Sequence, residues 1–306
     1  MAAAPETGKR MMIRTPKMFC AALLAVALVA GCQDGGKQVT PEPDKAAVPQ
    51  RAADYFPYVD QLDRGEITSI ARAVEAYQSA FADATPGERD SGYVHFLNFQ
   101  LEVETRLNNL VSRDPGRFAS LAHSDSALHD TSAAEIAGRL QEFGYALVFD
   151  EGQPLVINDP VYLRRHFYAA MSPVMKAYFD QFELERKQPF AADGALLMPL
   201  PDIAARLIFW EKFVDAHPGF ILMEEASLTY SYYVLVLLIG MDNSPAFDYQ
   251  NQTLRKNFRD VYQLVVSKYP GSSSAAIFQE YLKLLRSSGW KQTEQVDEFV
   301  RQFAIL

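Results

Sequence analysis

The chain has 306 residues, 49% of them apolar, and a formal net charge of −9. That is enough apolar material for a large core, while an acidic exterior repels phosphate backbones and excludes nucleic acid as a general partner. With only two cysteines, stability must come from packing and not from a disulfide framework.

Arg10, Arg14 and Lys17 open the chain with positive charge, and Met18 to Ala30 form an apolar run that small residues follow. This is the three-part pattern of an export signal. Translation could begin at Met1, Met11 or Met12. The run of about 13 residues is too short for a membrane-spanning helix, which needs roughly 20. It ends in Val29-Ala30-Gly31-Cys32, which resembles the lipobox of bacterial lipoproteins. The competing reading is an ordinary export signal that happens to contain a cysteine. The resemblance implies a signal peptide over residues 1–31, cleavage before Cys32, a fatty acyl group such as palmitate on that thiol, and a lipid-anchored mature protein. Gln33 follows the cysteine where Asp would mark retention in enteric lipoproteins. That similarity implies the outer membrane of the cell envelope, with the domain in the periplasm; inner-membrane placement stays open. On this reading Cys20 leaves with the signal, so no thiol nucleophile and no cysteine metal site remain. Cleavage removes four of the 29 basic residues and one of the 38 acidic ones, leaving 25 against 37 and a net charge of −12.

Residues 32–50, with Gly35, Gly36, Pro41, Pro43 and Pro49, read as a flexible tether with a reach of roughly 25 Å. Residues 51–306 then read as a mainly all-α domain, with a subdivision possible near 187–200. Ile67, Ile70, Val74, Tyr77 and Phe81 lie on one helical stripe. Thr85-Pro86 caps and opens the next helix, whose stripe of Phe96, Val103, Leu107 and Leu110 stops at Asp114-Pro115-Gly116. A helix over Ala133–Phe143 ends at Gly144. Tyr145–Phe149 and Leu155–Ile157 are β-prone runs around Asp150-Glu151-Gly152-Gln153 and predict one hairpin insertion over 145–157. Its edge could accept a strand, or the hairpin could simply cover the end of the core. Asp159-Pro160 restarts helix, and Ser172-Pro173 begins another that runs to about Lys187. A loop through Pro189, Gly194 and Pro199 follows, and then stripes marked by Ile203, Leu207, Trp210 and Val214. Leu222–Ile239 is apolar on nearly every side, so it is expected to be the most buried helix. Further stripes carry Leu254, Phe258, Val261 and Val265, then Ile277, Tyr281 and Leu284, and last Val296, Phe299, Val300 and Phe303.

One regularity is longer in range. Leu110–Gly116, Phe213–Gly219 and Val265–Gly271 each place an apolar pair ahead of Pro-Gly, with the prolines 103 and then 52 residues apart. Stacked antiparallel helix pairs that bury each other's apolar faces would produce it. Tyr262 to Leu285, with Lys268-Tyr269-Pro270-Gly271-Ser272, is similar to the tetratricopeptide-like helical repeats of envelope lipoproteins, including the Tyr-Pro-Gly-Ser hairpins of a barrel-assembly lipoprotein. The period here is longer than the 34 residues of that repeat, and its Trp-Leu-Gly-Tyr pattern is absent.

Candidate chemistry is sparse. His123, Asp125 and His129 could supply two imidazoles and a carboxylate to zinc; the same Ser- and Asp-rich stretch reads equally as a polar turn segment. No motif calls for a cofactor: nucleotide-cradling loops and the Gly-x-Ser-x-Gly elbow are absent. His95, His166 and His217 fall within or at the ends of helices. Glu224 and Glu225 near Tyr230, Tyr232 and Tyr233 could line a sugar cleft, although adjacent helical residues point about 100° apart. The expectation is a membrane-anchored, non-enzymatic helical scaffold or binding module with a protein or peptide partner. Alternatives are a cell-wall or metal-dependent hydrolase, and a small-ligand receptor with a pocket among Trp210, Tyr230 and Tyr233.

Overall fold

The computed structural model describes residues 48–116, 131–150 and 152–303. Residues 1–47, on which the expected signal, lipobox with Cys32 and most of the expected tether fall, lie outside them, as does the His123–His129 stretch. The described residues form eleven α-helices and three two-stranded antiparallel hairpins, a mainly all-α fold. They gather into two compact units, whose described parts are residues 48–184 and 185–303. None of the described helices is long and apolar enough to cross a membrane.

The first unit holds α1 (Ala52–Asp60), α2 (Ser69–Ala80), α3 (Pro86–Val111), α4 (Thr131–Glu142), β1 (Tyr145–Asp150), β2 (Gln153–Asn158) and α5 (Pro160–Phe167). It also takes most of α6 (Pro173–Lys187), which runs across the boundary. Local chemistry sets these ends. Thr85 and Glu88 form a reciprocal capping box at the start of α3, with the Thr85 N–H donating to Glu88 at 2.8 Å. Asp159 Oδ1 accepts the Val161 N–H at 2.9 Å and so caps α5. The core between these helices is aromatic: Phe167 meets Phe96 at 4.5 Å and Tyr77 at 4.7 Å between ring centroids. Only Tyr55 and Val59 of α1 are buried, and Pro57 interrupts its pattern, so the apolar stripe does not announce this helix.

The second unit holds β3 (Ala191–Ala192), β4 (Ala195–Leu196), α7 (Leu200–Ala216), α8 (Met223–Ile239), β5 (Gly240–Met241), β6 (Ser244–Pro245), α9 (Lys256–Lys268), α10 (Ser273–Ser287) and α11 (Glu294–Arg301). α7 packs on α8 and α9 on α10, each pair folding back at a Pro-Gly turn. The two turns share a conformation. His217 (φ −130, ψ 54) and Tyr269 (φ −124, ψ 51) close α7 and α9 alike. Each donates its N–H four residues back and accepts an N–H from three residues on. The third Pro-Gly does not join them: α3 already ends at Val111, and Ser112 keeps helical angles. The three-fold match is therefore conformational in two cases only.

Two further expectations change. There are three hairpins and not one, because β3–β4 and β5–β6 use strands of two residues, too short for an alternating pattern to register. α8 is not buried throughout: Tyr232 to Leu238 are all buried, but Glu224 is exposed. α7 buries residues along its whole length, including Arg206 and Glu211.

Candidate functional site

The β1–β2 hairpin and the cleft at its base form the candidate site. Six residue pairs match across the strands, from Tyr145↔Asn158 to Asp150↔Gln153. The pair flanking a two-residue turn shares its hydrogen bonds, and alternation then turns every second residue outward. On β2 the outward residues are Pro154, Val156 and Asn158; on β1 they are Tyr145, Leu147 and Phe149. Pro154 has no N–H and loses nothing at such a position.

The outer edge of β2 is closed by α3. The Asn108 carboxamide stands where a third strand would stand: its Nδ2 donates to the Val156 carbonyl and its Oδ1 accepts the Val156 N–H, both at 2.8 Å. Glu104 accepts the Asn158 N–H at 2.8 Å. Two more bonds fix the base: the Tyr145 hydroxyl donates to the Gln100 carbonyl at 2.9 Å, and Gln100 Nε2 donates to the Gly144 carbonyl at 3.1 Å. Gly144 (φ +80) is required here, since a Cβ would lie 2.5 Å from the Tyr162 ring. The outer edge of β1 is different. Leu147 and Phe149 are half-buried, and among the described residues nothing bonds their outward N–H and C=O groups.

At the base, α4 and the start of α5 enclose a cleft of about 300 Å³. α4 contributes Gly138, Gln141 and Glu142; Asp159, Val161, Tyr162 and Arg165 line the other side. A Cβ on Gly138 would have nothing within 4 Å among the described residues, so no close packing there calls for glycine. Val161 is 54% exposed and gives the rim an apolar edge. Tyr162 is buried, and burial pushes its phenol up to about 12 against the pull of the nearby Arg165 charge, so it stays protonated at neutral pH. Beside it, the His166 ring lies 4.3 Å from the Tyr162 ring. Burial first and Arg165 second hold its pKa below the usual histidine value. Two carboxylates against one guanidinium suit a cationic or hydrogen-bonding group on a short apolar stem.

The other sequence-selected residues have structural occupations. Trp210 Nε1 and the Tyr233 hydroxyl both donate to the Glu185 carboxylate at 2.8 Å. The Tyr230 hydroxyl lies instead 3.3 Å from Ser274 Oγ, so the three aromatics do not share one pocket. Glu224 and Glu225 occupy the first turn of α8, where negative charge favours the helix dipole, while Tyr232 and Tyr233 are buried. His95 Nε2 approaches Asp60 at 3.0 Å, and the His217 ring packs 4.9 Å from Phe213. Among the described residues, no three His, Cys, Asp or Glu side chains gather to hold a metal ion; His123, Asp125 and His129 lie outside that set. Sequence reasoning overlooked Asn108 and the cleft. The one available signal was Gly138, a helix-weakening residue in the interior of α4.

Neither a protein-family model, nor a curated protein, nor a solved structure matches this chain.

Proposed function

We propose that the chain is a lipid-anchored helical binding module of the bacterial envelope, held by Cys32 and presenting its domain to a protein or peptide partner in the periplasm. The observation that supports it best is the asymmetry of the β1–β2 hairpin, with one edge sealed by the chain's own side chains and the other without a partner among the described residues, above a polar cleft at the hairpin's base. Several buried carboxylates already serve the chain's own backbone. Asp90 accepts the Ser172 N–H, and Glu211 accepts those of Ser273 and Ser274. Such groups hold structure and do not await substrate. Outer-membrane placement follows from Gln33 on the same resemblance.

Two experiments test this. In cells fed a tagged fatty acid, the native protein takes up label and sediments with membranes, and Cys32→Ser does neither; label retained by Cys32→Ser refutes the anchor. A photo-crosslinking side chain in place of Val161, on the cleft rim, yields a discrete protein adduct, whereas the same group in place of buried Val156 yields none. Adducts to peptidoglycan fragments alone would refute the module. A small-ligand receptor is the second reading, favoured by the cleft, whose volume is at the small end of ligand pockets, roughly 300–1,000 Å³.

A further inference from the structure

We infer that β1 is a docking strand: an extended segment of a partner protein, apolar in its middle and basic at its ends, adds to the outer edge of β1 and extends the hairpin to three strands. This rests on the binding-module reading and names its mode and the partner's chemistry. Unpaired N–H and C=O groups on extended backbone recognise another extended backbone, since only a strand presents donors and acceptors at the matching spacing. Among the described residues, nothing pairs the outward N–H and C=O groups of Leu147 and Phe149, two of each. The β2 edge cannot serve, because Asn108 and Glu104 already occupy it.

The neighbours along β1 set the chemistry of the incoming strand. Leu147, Val148 and Phe149 place apolar side chains on both faces of the hairpin, so cross-strand partners at the centre are apolar on both faces. Acids mark the two ends. Asp150 closes the strand at the tip, and Glu142 and Asp159 line the cleft at the base, where Arg165 is the one cation among the described lining residues. An antiparallel second copy would bring the acid-bearing tip of one hairpin to the acid-bearing base of the other, like against like. A segment with a basic residue at each end meets acids at both, and one basic side chain fits the cleft with its stem along Val161.

The probe is a fluorescent peptide, Lys-Lys-Val-Thr-Val-Leu-Lys-Lys, added to the full chain in detergent, with binding read by anisotropy and contact by amide hydrogen exchange. Exchange at Leu147 and Phe149 is expected to slow about tenfold or more at saturation. A peptide N-methylated at alternate residues, which cannot donate along one edge, is expected to bind at least about tenfold more weakly, as is a version with Glu for Lys. Phe149→Pro removes one outward donor at a position facing Pro154, and is expected to abolish binding while the helical circular dichroism is kept. Should that variant misfold, the N-methylated peptide on the unaltered protein still decides. The inference is overturned by absent binding, by equal affinity of the N-methylated peptide, or by unchanged exchange at the two amides. It is also overturned if the protein alone dimerises with those amides already protected. A discrete adduct from the Val161 crosslinker alongside any of these failures leaves the module standing and removes strand addition alone.

Discussion

The hairpins of the two units treat the same problem in opposite ways. In the second unit, β3–β4 and β5–β6 bond each other: the Asn243 N–H donates to the Gly194 carbonyl at 2.8 Å, and the Leu196 N–H donates to Ser244 Oγ at 3.0 Å. Residues 246–248 pair onward with 253–255, and the Leu254 N–H donates to the Trp290 carbonyl at 2.8 Å. Exposed backbone is consumed by neighbouring loops of the same unit. In the first unit a helix side chain seals one edge of β1–β2, and the other edge has no described partner. An unpaired strand edge invites association, and most proteins cover it. Among the described residues, one edge of β1–β2 and both other hairpins are covered in this way, and the outer edge of β1 is not.

The sharpest way to break this contrast is to attack a closed hairpin at its hinge. Gly240 ends α8 at φ 76, ψ −154, a region nearly restricted to glycine. A Cβ there would lie 2.2 Å from the Ser244 carbonyl oxygen. Gly240→Ala is expected to cost about 3 kcal/mol or more in urea unfolding, because strain and backbone overlap add. A loss below about 1 kcal/mol would mean that the β5–β6 turn is loosely held and that the contrast with β1–β2 is overstated.

Asn108→Ala tests the sealed edge. It strips the Val156 N–H and C=O of their partners, and leaving such groups without bonds is expected to cost about 2 kcal/mol. It also opens a second edge on the same hairpin, so self-association measured by analytical ultracentrifugation should rise with concentration beyond that of the native protein. Lower stability without added association would indicate that α3 itself shields β2, whatever stands at position 108.

What the sequence disclosed follows the range of each interaction. Thr85 with Glu88, and Asp159 with Pro160, act within one turn, and both caps are legible as dipeptide or tetrapeptide signals. The 145–157 hairpin is legible because six residues a side give alternation room to show. Asp193-Gly194 carries the chemistry of a two-residue turn, with φ of 47 and 70, yet strands of two residues supply no pattern around it. The sealing of β2 is beyond any local reading: Asn108 lies 48 residues from Val156 and resembles any polar residue on a helix face. The same applies to the pairing of Trp210 and Tyr233 through Glu185, which aromatic spacing alone presents as an open pocket.

The smallest expected effect concerns acid, and it would sharpen the contrast by placing pH sensitivity at the base of the unsealed hairpin. His166 lies on α5 beside the cleft, within 3.5 Å of Gln78 through Nδ1. Burial, and then the Arg165 charge, lower its pKa from the ordinary value, near 6.5. The unfolded chain therefore takes up the proton first as pH falls. Stability contributed by the neutral ring is full above the unfolded value, declines through the interval between the two values, and is gone below the folded one. Melting temperature should accordingly drop from pH 7.5 to pH 5, and His166→Gln, which cannot titrate, should drop less. The difference between the two slopes isolates this histidine from the many carboxylates that titrate lower. Equal slopes would show that protonation of His166 is tolerated in the folded chain, and acid would then give no purchase on the hairpin's base.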